Sequence, residues 1–216
     1  YTLVYTLSLH DALPISRHPR LHDRHRRAAG AGVITFWFEF ASTYSYIAAE
    51  RMRARGAVPP AVSWRPFLLG PIFKEQGLTT SPFVTWPVKG AYMWRDLERL
   101  TARDGLPFRR PAVFPQNSVL AARVATAHAE APWFADFACG VFRAEFGEGR
   151  DIALTATVAD VLDGLGVDAD GALAAAEAPA TKAALRAATA DAQAAGLFGA
   201  PRSEERRVGK ECTLRC

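Results

Sequence analysis

The chain has 216 residues, half of them hydrophobic, and a formal net charge of +4 at pH 7. It holds no apolar run long enough to cross a bilayer, so length and composition fit one globular unit, or two closely joined ones. The positive charge sits at the ends. Setting aside the tail Arg202–Cys216 (five basic residues, three acidic), the first 16 residues (one Asp) and Arg17–Gly32 (five Arg, one Asp) leaves residues 33–201 near −1. That balance argues against nucleic acid or an anionic membrane as a partner.

The two ends are related to each other. Codons for Thr6–Ile15 (TLSLHDALPI) can be chosen so that their DNA lies within the reverse complement of DNA encoding Arg202–Cys212 (RSEERRVGKEC), and both strings resemble a sequencing adapter. Residues 1–32 are therefore read as a non-native or disordered N-terminal segment and 202–216 as an adapter-like tail, both outside the fold. Two of the three cysteines leave with the tail. Cys139 remains, which excludes a disulfide within 33–201 and points to a reducing cytoplasm. His128 is the one histidine left, too few for a zinc site, and no metal is expected.

Val33–Phe40 (VITFWFEF) reads as a β-branched and aromatic strand. It runs into Ala41–Tyr46 and a helix that Gly56 is placed to stop, and Ala61–Arg65 follows as a second strand ended by Pro66. Strand, tight junction, helix and strand make one βαβ unit, assigned to 33–68. From 69 to 184 the pattern is helical: helices are expected over Gly90–Arg103, Asn117–Ala129, Trp133–Glu145 and Thr157–Leu165, and over Ala172–Ala195 with a break near Pro179. Residues 185–201 are read as a returning helix and a proline loop. The architecture is α/β: a thioredoxin-like βαβ unit with a large inserted all-helical domain. The C-terminal ββα of such a fold is expected to be missing, because the adapter-like tail begins after Pro201.

Ser42-Thr43-Tyr44-Ser45 is the most informative junction. It lies where a strand delivers the chain to a helix N-terminus, whose free N–H groups and dipole favour negative charge. In thioredoxin-like redox proteins Cys-x-x-Cys stands here, and both cysteine positions are serine in this chain. A serine hydroxyl cannot exchange disulfides. It can donate a hydrogen bond to a thiolate carried in by a ligand, or simply cap the helix, and the two roles can coexist.

Four blocks carry a resemblance: Phe36–Ala48 (FWFEFASTYSYIA), Trp64–Phe73 (WRPFLLGPIF), Pro87–Leu97 (PVKGAYMWRDL) and Phe114–Arg123 (FPQNSVLAAR). In order and spacing they resemble the 2-hydroxychromene-2-carboxylate isomerases, DsbA-like thioredoxin-fold relatives of the kappa-class glutathione transferases. The resemblance covers residues 33–201. It implies glutathione as cofactor, a small aromatic carboxylate as substrate within aromatic-compound catabolism, reversible thiolate addition as chemistry, and a homodimer.

By the same resemblance Ser42 bonds the glutathione sulfur, with Thr43 (where the family has proline) and Tyr44 beside it. Ala200, preceding the cis-proline position Pro201, holds glutathione through its backbone. An asparagine contact of the kappa relatives falls on Leu78, a departure that leaves no side-chain amide for it. Lys89 and Asn117 are weaker candidates for the substrate half of the site. Lys89 reads equally as a solvated helix-start charge, and Asn117 as an N-cap. Trp64, Trp86, Trp94 and Trp133 read as core, Cys139 as a buried small hydrophobe and His128 as a helix-surface residue. A transferase using the same thiolate and a non-catalytic binding module remain open.

Overall fold

Strand β1 (Val33–Phe38) lies at the centre of a three-stranded sheet of order β2-β1-β3 in the computed structural model, which describes residues 33–58 and 62–206. The N-terminal segment 1–32 lies outside the described residues, as do residues 207–216 of the tail. Strand β1 leads through helix α1 (Thr43–Ala54) to the parallel strand β2 (Val62–Pro66), in the register Ile34 with Val62 to Phe38 with Pro66. Helix α1 ends at Arg55, and Gly56 takes the left-handed conformation (φ 68°) that lets the chain turn away.

Helices α2 (Leu69–Glu75), α3 (Pro82–Thr85) and α4 (Pro87–Asp104) follow β2. The chain continues through α5 (Val119–Ala127) and α6 (Phe134–Phe142), which runs on into a π turn at Arg143–Gly147. Then come α7 (Thr155–Gly164), α8 (Ala169–Glu177) and α9 (Pro179–Ala194). Among the described residues no helix is long and apolar enough to cross a membrane.

Alternation along β1 divides the core. Phe36 and Phe38 point to one face, where Trp64 lies edge-on to Phe36 at 5.0 Å and Phe142 of α6 lies 6.0 Å from Phe38. Phe38 is fully buried, a burial that stabilises by about 1.5–3 kcal/mol. Trp37 points to the opposite face and packs with Phe67, Ile72, Ala192 and Leu197, so α9 and α2 cover that side. Aromatic residues at successive positions suit a central strand buried on both faces.

The break expected near Pro179 falls between α8 and α9, because a proline at the first helical position starts a helix. Two expectations are corrected. The first five tail residues are part of the sheet: β3 (Arg202–Arg206) pairs antiparallel with β1, Trp37 opposite Arg202 and Val33 opposite Arg206. Thus the first strand of the C-terminal portion expected to be missing is present, directly after Pro201. The exposed edge of β1 needs a hydrogen-bonding partner, and backbone pairing tolerates a charged sequence at an edge position. Trp86 is not core. It is half exposed at the start of α4, while Trp64 and Trp94 are buried.

Candidate active site

The junction at residues 39–42 opens onto a cleft of about 780 Å³, within the range of roughly 300–1,000 Å³ usual for small-molecule sites. Its floor is the turn from β1 into α1 (Glu39, Ala41, Ser42). One wall is α2 with the α3 segment, another the stretch 114–119, and the last the loop Phe198–Ala200.

Ser42 occupies the N-cap of α1, and its oxygen accepts the Ser45 N–H at 3.3 Å. Its hydroxyl donates to the Ala200 carbonyl at 3.0 Å, which ties the helix start to the loop before β3. The Ala200–Pro201 peptide is cis, as is Phe114–Pro115 on the neighbouring wall. Ser45, the other cysteine-equivalent position, is fully buried and its hydroxyl accepts the Glu39 N–H at 3.5 Å, so it takes no part in lining the cleft.

Thr43 and Tyr44 line the cleft but turn their hydroxyls elsewhere. Thr43 donates to the Met93 sulfur at 3.3 Å, and Tyr44 to the Asp96 carboxylate at 3.0 Å. Burial, together with Asp96, pushes the Tyr44 phenol upward, so it stays protonated at neutral pH. Lys89 stands at the rim, its Nζ 5.7 Å from the Phe83 ring centre and 5.6 Å from that of Trp86. Asn117 also lines the cleft and caps α5 from one residue further out than expected, its Oδ1 accepting the Val119 N–H at 3.0 Å. The N-cap position itself is Ser118, whose hydroxyl serves another purpose.

Ser118 donates to the carboxyl of Glu39. Glu39 lies just past the end of β1, three positions before Ser42, and its backbone carbonyl accepts the Ser42 N–H at 3.1 Å. Burial pushes the Glu39 carboxyl up to about 7, although Ser118 and the Ala41 N–H both pull it down. Sequence reasoning missed Glu39 and Ser118. A signal existed for the first: Glu39 is the single charged residue in the run VITFWFEF. For Ser118, nothing in the spacing tells a helix cap from a partner for a distant carboxyl.

The remaining candidates separate clearly. Leu78 lines the cleft and offers no polar atom there beyond its backbone. Cys139 lies in the core of α6, its thiol pushed up to about 12 by burial. His128 is half-buried against Trp133, 4.9 Å between ring centres, rather than on the open helix surface.

A family model for the DSBA-like thioredoxin domain matches residues 33–203, and the chain belongs to that family. A solved 2-hydroxychromene-2-carboxylate isomerase shares the fold with a TM-score of 0.70 at 24% identity, over 80% of this chain and 84% of that one. The cytosolic disulfide reductase DsbM from Pseudomonas aeruginosa gives 0.59 at 17% identity, over 82% of this chain and 86% of that one. The same protein with GSH gives 0.56 at 16%, over 79% and 84%. These likenesses establish the fold. No curated protein sequence matches the chain.

Proposed function

We propose that the chain is a glutathione-dependent isomerase of 2-hydroxychromene-2-carboxylate-type aromatic carboxylates. The observation that carries this reading is Ser42 at the N-cap of α1, bonded to the Ala200 carbonyl beside a cleft that opens where a redox relative has its dithiol. With serine at 42 and 45 and Cys139 buried, the described residues offer no dithiol to run disulfide exchange at this place.

The residues present fit glutathione in part. The Ser42 hydroxyl and the α1 N-terminus suit a thiolate, and the Ala200 peptide offers backbone groups to its cysteinyl portion. Leu78 supplies no asparagine amide, so that contact of the kappa relatives is absent here. Glutathione, when bound, supplies a thiolate that adds reversibly to a conjugated double bond and lets it rotate. Ser42 would turn its hydroxyl from Ala200 to the sulfur and, with the helix dipole, keep it ionised near neutral pH. Phe83, Phe114 and Pro115 would flank an aromatic ring, while Lys89 at the rim would meet a carboxylate, with Asn117 nearby. The solved isomerase and the GSH-bound DsbM support the same direction by their names. A cytoplasmic home, where glutathione is abundant and reduced, and a homodimer belong to this proposal.

A second reading has its own support: Ser42 already spends both its proton and its oxygen on Ala200 and Ser45. Here Ser42 only fastens the helix, and the fold is a binding module. The test is isomerisation of 2-hydroxychromene-2-carboxylate with and without glutathione, beside conjugation of glutathione to an aryl halide. Glutathione-dependent isomerisation that Ser42→Ala abolishes supports the proposal. Conjugation alone makes the protein a transferase, and glutathione affinity unchanged by Ser42→Ala favours the binding module.

A further inference from the structure

We propose that Glu39 is a catalytic residue of this cleft, the base and then the acid that moves a proton between two substrate oxygens while the chromene ring opens, with Ser118 as its positioning residue. The inference rests on the isomerase reading above and adds to it a group with no part in holding glutathione.

Four observations on geometry carry it. Glu39 is one of the residues that line the cleft, and at 6% exposure it is shielded from bulk solvent. It belongs to the same turn as Ser42, through the Ser42 N–H bond to its backbone carbonyl, so both residues enter the cleft from one turn. Ser118, itself buried and lining the cleft, donates to one carboxyl oxygen and fixes its direction. Its hydroxyl is thereby taken from helix α5, whose N-cap it occupies without capping.

The other polar side chains of the turn are spent. Ser45 lies fully buried, Thr43 is bonded to Met93, and Tyr44 holds its proton tightly beside Asp96. Glu39, with its carboxyl pushed up to about 7 by burial, exists in both proton states at neutral pH, as a group that must take and return a proton requires.

The step balances without an oxidant or an added reactant. The substrate carries a hydroxyl and the ring oxygen on one carbon. The Glu39 carboxylate removes the hydroxyl proton, and the freed electron pair becomes the C=O π bond as the bond from that carbon to the ring oxygen breaks. The ring oxygen leaves with that bond's electrons, and the Glu39 carboxyl returns the same proton to it, giving a phenol and a regenerated carboxylate. The freed carbonyl conjugates the double bond that must rotate.

The charged and titratable groups around Glu39 are few. The π turn contributes Glu145, whose own carboxyl burial holds well above the usual range, with Glu39 and Asp151 adding to it. Helix α1 contributes the hydroxyls of Ser42, Thr43 and Ser45 and the Tyr44 phenol, the segment before α5 contributes Ser118 and the amides of Gln116 and Asn117, and the rim contributes Lys74 and Lys89.

The experiment compares wild type, Glu39→Gln and Ser118→Ala. Glutathione affinity is read by calorimetry, isomerisation as kcat from pH 5.5 to 8.5, and the Glu39 carboxyl by ¹³C NMR titration of the glutathione-free protein. The expected result for Glu39→Gln is a loss of kcat of about 10²–10³-fold, with glutathione affinity within threefold and the acidic limb of the pH profile gone. Ser118→Ala removes a bond that favours the carboxylate, so the NMR titration and the acidic limb should both move to higher pH. A Glu39→Gln enzyme with kcat within threefold of wild type and the same pH profile overturns the role of Glu39 and leaves the isomerase reading intact. A wild type that binds glutathione but converts no hydroxychromene carboxylate overturns both.

Discussion

The Ser42 hydroxyl donates to the Ala200 carbonyl at 3.0 Å and so joins the start of helix α1 to the peptide that introduces β3, 158 positions along the chain. The same oxygen caps α1 through Ser45. A single hydroxyl therefore closes one side of the cleft and sets the polarity of its floor. Any ligand that uses either group must compete with this bond.

Replacing Ser42 by Ala removes a cap and a tether together. An N-cap is worth about 1 kcal/mol and a net hydrogen bond about as much again, so a stability loss on the order of 1–2 kcal/mol is expected in urea denaturation. Thiolate absorbance of bound glutathione should weaken in parallel at neutral pH. A stable variant with undiminished thiolate absorbance would show that the helix dipole alone holds the sulfur.

Replacing Ser42 by Cys tests the field rather than the hydroxyl. A cysteine at this helix start should titrate below its ordinary value of about 8.5, as thiolates at helix N-termini do. It should then attack oxidised glutathione, giving a protein–glutathione mixed disulfide and releasing one glutathione thiolate. Mass spectrometry after exposure to oxidised glutathione reads this out, with Cys139 as the internal control because its buried thiol is pushed up to about 12. Equal modification at both positions would sink the idea of an activating helix start.

The βαβ unit and the sulfur side of the site were legible because both are local. Val33–Phe38 is written in β-branched and aromatic residues, and Ser42 stands at a strand-to-helix junction where the N-cap preference speaks through sequence alone. The rest depends on distant partners. Strand β3 is made of Arg202-Ser-Glu-Glu-Arg, which has no strand signature and is recruited by the open edge of β1. Ser118 carries the signature of a cap but bonds Glu39, 79 positions earlier, and Trp86 is apolar yet stands at the rim beside Lys89. Backbone pairing and long-range side-chain bonds leave little trace in spacing.

Two buried carboxyls make the fold sensitive to pH. Glu39 and Glu145 both hold their protons more tightly in the fold than an ordinary glutamate does, because burial penalises the charged form. A carboxyl raised in the folded state contributes most below its unfolded value: the Glu39 contribution falls as pH climbs from about 4.5 to about 7, and Glu145, held well above the usual range, adds to the decline. For Glu39 alone the loss is on the order of 3 kcal/mol. Urea denaturation at half-unit steps between pH 4 and 8 should show this decline. Glu39→Gln should reduce its slope, and Glu39→Gln with Glu145→Gln should reduce it further. Wild-type stability that rises over the same interval would mean that both carboxyls are effectively solvated.

Gly90 supplies a test of the cleft wall that touches no chemistry. It lies in the first turn of α4, where a Cβ would drive into the backbone carbonyl of Phe83 in α3. That carbonyl belongs to the main chain and cannot swing aside like the end of a long side chain, so Gly90→Ala must push α3 and α4 apart. Forcing extra volume into a packed contact costs about 1–3 kcal/mol. The displacement would carry Phe83 and Lys89, which face the cleft from these two helices. If Lys89 meets the substrate carboxylate, Gly90→Ala should raise KM for the aromatic substrate several-fold while leaving kcat and glutathione affinity nearly unchanged, because Ser42 and Ala200 belong to other elements, the start of α1 and the loop before β3. Lys89→Met should raise KM without the stability loss. A Gly90→Ala protein that loses glutathione affinity as much as substrate affinity would show instead that α3 and α4 frame the whole cleft, and Lys89 would no longer stand apart as a substrate contact.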